Sequence, residues 1–138
     1  MVVNKDLKQI ASKFKFNGKI INIEPHGNGI INDTFIVTCM IDNDTYEKYL
    51  LQKINTNVFN DPYKLMKNIK KVTTFIENKI KNSKNNNRPF LKVILTKDNE
   101  SLYEHYNNLG QKEYYRAYNF IEDTVVYNNS KDKTIIYN

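Results

Sequence analysis

Apolar residues recur at two different spacings along this chain, and the changes of spacing divide it into elements. Behind Asn4, a suitable N-cap, Leu7, Ile10, Ala11 and Phe14 fall three or four apart, which predicts a short amphipathic helix that Asn17-Gly18 stops. Lys19 to Glu24 then alternates as a strand, with Ile21 and Ile23 on one side. The breaker cluster Pro25-His26-Gly27-Asn28-Gly29 separates it from a β-branched, apolar strand over Thr34 to Ile41. Asp42-Asn43-Asp44 is a hairpin turn, and Tyr46 to Ile54 returns as a third strand with the near-continuous apolar character of a central position.

The clearest helix follows. Asp61 suits the N-cap and Pro62 the first helical position. Leu65, Met66, Ile69, Val72, Thr73, Ile76 and Ile80 form a stripe wide enough to pack on a sheet. Residues 81–87 are polar and predict a solvated loop. Leu91 to Leu95, Ser101 to Tyr106 and Glu113 to Ile121 are three further strands, separated by turns at 97–100 and 107–110. No internal repeat is visible. The order of helix, three strands, long helix and further strands predicts an α+β fold: an antiparallel sheet with one long packing helix and a short N-terminal helix.

Composition narrows the classes. The chain is 138 residues long, one domain's worth, with 40% hydrophobic and 12% aromatic residues. Cys39 has no second cysteine to pair with and lies in an apolar run, as a core residue rather than a nucleophile would. No apolar stretch approaches the ~20 residues that span a membrane, and residues 1–15 do not form a signal peptide, so the expected compartment is the cytoplasm. The formal charge of +6 raises nucleic-acid binding, but only Arg88 and Arg116 of the 21 basic residues are arginines and the lysines are scattered. With 22 Asn beside them, the lysines reflect compositional bias more than a binding device. Tyr103, Tyr106, Tyr114, Tyr115 and Tyr118 fit sheet packing and an interface better than a base-stacking platform. His105 among them suits an edge strand.

Gly27-Asn28-Gly29-Ile30-Ile31-Asn32 has the G-x-G-x-x-G form with Asn in the last place. A dinucleotide-binding loop opens a helix; here Thr34-Phe35-Ile36-Val37-Thr38 continues as a strand, so the loop closes a hairpin. A glycine-rich hairpin lying over phosphates is the device of kinases, where backbone N–H groups approach phosphate oxygens; the plain alternative is an ordinary flexible turn. Lys53 stands on the third strand where a kinase keeps the lysine that neutralises those phosphates, unless it faces solvent from an open side of the sheet. A long helix comes next, and the last strand runs into Asn119-Phe120-Ile121-Glu122-Asp123, where a kinase has its hinge.

Three segments carry a resemblance to a known family: 27–35 around the glycines, Leu51-Gln52-Lys53-Ile54-Asn55-Thr56-Asn57-Val58-Phe59, and Tyr115-Arg116-Ala117-Tyr118-Asn119-Phe120-Ile121-Glu122. Together they resemble the aminoglycoside-phosphotransferase-like kinases, nearest the N-acetylhexosamine 1-kinases and so-called mucin-desulfating relatives, from about Phe14 to Tyr127. The resemblance implies a protein-kinase-like N-terminal lobe over residues 1–122, with 123–138 as hinge and start of a second lobe. It implies ATP and Mg²⁺ as cofactors and a sugar as phosphoryl acceptor. Gly27, Asn28, Gly29, Asn32, Asp33 and Thr34 would cover the phosphates and Lys53 would contact them. Leu51 would wall the adenine pocket, with the backbone of Phe120, Ile121 and Glu122 holding the base.

The chain departs from that pattern in three places. The long helix has no Glu before Glu77 to pair with Lys53, and Asn68 is the best-placed polar residue. Ile30 stands where relatives often carry His. Neither His26 nor His105 begins a His-x-Asp motif, so the catalytic and metal-binding residues of the second lobe are missing and no turnover is expected. Two other readings stand beside the nucleotide-binding lobe: a non-catalytic interaction module that self-associates through an uncovered face, and a basic nucleic-acid-binding domain.

Overall fold

The computed structural model describes residues 5–27, 33–84 and 87–121. The elements follow in the order α1 (Lys5–Ala11), β1 (Lys19–Pro25), β2 (Asp33–Asp42), β3 (Thr45–Lys53), α2 (Pro62–Lys81), β4 (Val93–Ile94), β5 (Tyr103–Tyr106) and β6 (Lys112–Asn119). All six strands belong to one antiparallel sheet, ordered β1-β2-β3-β6-β4, with β5 also paired to β6. The fold is therefore α+β, as the pattern predicts. β4 and β5 lie along the same side of β6, interrupted by a turn in which the Thr96 hydroxyl accepts the N–H groups of Asp98 and Glu100.

The two faces of the sheet are covered differently. Alternation along β3 sends Tyr49 and Leu51 to one face, where they meet Ile23, Val37, Cys39, Tyr115 and Ala117. α1 and the segment after it seal that face with Ile10, Ala11 and Phe14. Backbone bonds from Lys15 N–H to Leu95 C=O (2.9 Å) and Lys97 N–H to Lys13 C=O (2.9 Å) fasten this cover to the β4 end. The opposite face takes α2, through Met66, Leu65 and Ile69 against Ile54, Val93, Leu102 and Tyr114.

The expectation for the first strand needs one correction. A bulge between Ile20 and Asn22 sets Ile20 opposite Cys39 and Ile23 opposite Val37, both on the core, and leaves Ile21 exposed. One extra residue reverses the alternation that would have placed Ile21 beside Ile23.

α2 starts and stops where its sequence says. The Asp61 carboxylate accepts the Lys64 N–H at 3.1 Å, and Asn82 N–H closes on Asn78 C=O at 3.1 Å. Its stripe is only half used, however. Pro62, Met66 and Ile80 are buried, whereas Val72 is 56% and Phe75 61% exposed, and Ile76 is exposed too. An open groove of about 320 Å³ runs beside them, lined by Asn68, Ile69, Val72, Thr73, Ile76, Leu91 and Tyr118. No helix among the described residues is long and apolar enough to cross a membrane.

Candidate functional site on the α2 face

The hairpin between β1 and β2 is closed at its base by His26 N–H donating to Thr34 C=O at 2.8 Å. Gly27, which leaves β1 behind, has φ +73°, a conformation glycine adopts without strain. Asn28, Gly29 and Asn32 lie outside the described residues, as do Glu122 and the segment 123–138. At the other end of the candidate site, Phe120 and Ile121 follow β6 and are half-buried. The rings of His26 and Phe120 meet edge to face, with centroids 6.0 Å apart. The hairpin base and the chain leaving the last strand are thus neighbours although β2 and β3 lie between their strands.

Strand alternation rearranges the residues expected between them. Leu51 is 0% exposed and belongs to the core under α1, so it cannot wall a ligand pocket. Its neighbour Leu50, paired with Ile36 on one side and Tyr118 on the other, faces the α2 side. Lys53 is likewise on the α1 side. Its ammonium pairs with Glu113 of β6 at 3.3 Å, not with a helix residue, and Asn68 lies apart in the α2 groove. Asp33 stands opposite Lys53 in the β2–β3 register and is exposed. Both corrections have one cause. Consecutive residues of a strand point to opposite faces, so the motif at 51–53 offers Gln52 to the α2 side and its flanking residues to the other.

Gln52 heads a row of polar side chains across three strands. Its Nε2 donates to Thr34 Oγ1 at 3.0 Å, and its Oε1 accepts from Arg116 Nε at 2.9 Å. Thr34, Gln52 and Arg116 are in register as cross-strand neighbours. The guanidinium also lies 5.3 Å from the centroid of the Tyr118 ring and 3.8 Å, through Nη1, from the Met66 sulfur of α2. Burial draws the Arg116 pKa down, with Tyr118 opposing, and a guanidinium remains charged regardless. Burial raises the Tyr118 phenol, and Arg116 moderates that rise.

Thr34 and Phe120 are therefore the expected residues that this face brings together, with His26, Leu50, Gln52 and Arg116 as members that the motif reading missed. Arg116 was available in the sequence as one of two arginines, inside a strand of aromatic residues. Its partner Gln52 became visible only with the β3–β6 register. The five tyrosines divide between faces: Tyr103 and Tyr115 pack toward α1, and Tyr106, Tyr114 and Tyr118 occupy the alternate positions. Among the described residues no three His, Cys, Asp or Glu side chains gather as a metal-binding group. No protein-family model matches the sequence.

Proposed function

We propose that this chain is the nucleotide-covering lobe of an ATP-dependent sugar kinase of the aminoglycoside-phosphotransferase-like type. The observation that carries the reading is the contact between His26 and Phe120. It brings the base of the glycine hairpin and the segment after the last strand to one place, as a loop over phosphates and a hinge beside adenine require. The α+β sheet, the hairpin before the third strand and the helix after it support the same reading. Leu50, half-buried on the α2 side of β3, offers an apolar surface for a base between these two ends. The residues described do not form a Mg²⁺ site, and no step is assigned to the metal. The chain's part is to bind and orient the nucleotide, and no phosphoryl transfer is assigned to it.

Titration of the full chain with Mg-ATP, followed by amide shifts, tests the proposal. Saturable shifts at Gly27, Thr34 and Phe120 are expected. Unmoved amides at all three positions with ATP in the millimolar range reject it.

The exposed apolar half of α2 favours a second role for the same lobe, as an interaction face toward another copy or another domain. Sedimentation over a concentration series checks it: a strictly monomeric chain excludes the self-associating form.

A further inference from the structure

Among the described residues Arg116 has no counter-charge. The residue is 8% exposed, and none of the ion pairs formed by the described residues includes it. Nε–H is used on Gln52, Nη1 has the weak acceptor sulfur of Met66, and Nη2 donates to nothing among the described residues. A buried guanidinium is costly unless an anion or a full set of acceptors meets it. Here one edge is fixed by Gln52, itself held by Thr34, and on the other edge Nη1 has only the weak acceptor sulfur of Met66 while Nη2 has no partner among the described residues. The planar fork of a guanidinium matches two oxygens of one phosphate.

The fork's position favours a particular anion. Arg116 is in register with Gln52 and Thr34, and Thr34 C=O closes the glycine hairpin through His26. It therefore lies at the level of the hairpin base, on the face that ends at Phe120. Lys53, the cation expected to meet phosphate, is turned to the opposite face and neutralised by Glu113. We propose that Arg116, oriented by Gln52 and Thr34, receives the phosphate oxygens of a nucleoside polyphosphate bound on the α2 face. The ligand class rests on the nucleotide reading above; the anion site itself rests on the guanidinium.

The chain has only two arginines, so its arginine Nε–Hε spectrum contains an internal control in Arg88. The full chain is titrated at constant ionic strength with tripolyphosphate, Mg-ATP and adenosine. The Arg116 signal should move saturably with the first two and stay still with adenosine, while Arg88 stays still throughout. Arg116→Lys, which keeps the charge and loses the fork, should weaken Mg-ATP binding about tenfold or more and leave adenosine binding unchanged. Lys53→Gln should leave Mg-ATP binding unchanged. If Mg-ATP moves the amides at Gly27 and Phe120 but not the Arg116 signal, the assignment of Arg116 is overturned and the nucleotide reading stands. The assignment is equally overturned if Lys53→Gln abolishes binding and Arg116→Lys does not. If tripolyphosphate moves Arg116 and Mg-ATP moves nothing, the nucleotide is overturned as ligand. The wild-type spectrum decides the matter even where a variant fails to fold.

Discussion

The Lys53 ammonium and the Glu113 carboxylate lie 3.3 Å apart, bridging β3 and β6 on the face that α1 covers. Glu113 is held further by Asn107 Nδ2 at 3.0 Å and the Tyr115 hydroxyl at 3.3 Å. Burial acts to raise its pKa, but the Asn107 bond and Lys53 outweigh it, and the net direction is down. A carboxylate depressed on folding contributes stability that is complete above its unfolded value, near pH 4.3, and is lost as pH falls through the lower folded value. Glu113→Gln should therefore lower stability by about 1 kcal/mol at neutral pH, given a half-exposed partner. The difference from wild type should shrink in urea unfolding at pH 3; an equal difference at both pH values would contradict an ionic contribution.

Leu50 and Leu51 should separate binding from stability. Leu51→Ala opens a cavity in the core under α1 and should cost about 3 kcal/mol in unfolding free energy. Leu50→Ala, on the α2 face, should cost less and weaken adenosine binding. A reversed pattern would restore Leu51 as a pocket wall.

Gly18 is required by both backbone and space. Its φ is +82°, and a Cβ there would collide with the Met40 carbonyl oxygen and come within 2.9 Å of the carbonyl carbon. The obstacle is backbone of β2, which no side-chain rotation relieves. Gly18→Ala should lower stability by about 2 kcal/mol or more, measured as a lower denaturant midpoint at unchanged slope. The same substitution at Gly27 meets nothing within 4 Å, and only the positive φ opposes it.

Cys39 is sealed under α1, and burial, with the nearby Glu47 carboxylate adding to it, pushes its thiol up to about 11. Both inaccessibility and the scarce thiolate slow its reaction. A disulfide exchange reagent at pH 8 should label the native chain at least a hundredfold more slowly than the urea-unfolded chain, by order of magnitude from roughly two pKa units and burial. Equal rates would place Cys39 at the surface.

Much of the fold was legible along the chain because its determinants are local. The cap at Asp61, Pro62, the Asp42–Asp44 turn and the change from two-residue to helical periodicity each act within a few neighbours, and all appear where they were expected. Local pattern also placed Cys39 in the core. It misjudged Ile21, because a bulge is decided by what β2 presents opposite, and it overestimated the packing of α2, whose stripe extends past the apolar surface available to it.

The candidate site divides along the same line. By itself the sequence determined that a glycine hairpin precedes a lysine-bearing strand, since loop chemistry and strand propensity are written in consecutive residues. Only the tertiary structure decided which side of that strand faces α2. A strand's two faces are equivalent until helices cover them, and α1 took the face of Leu51 and Lys53. The face left to α2 carries Gln52, and the β3–β6 register sets Arg116 beside it. That pairing joins residues 64 positions apart, a relation that no spacing in the chain encodes.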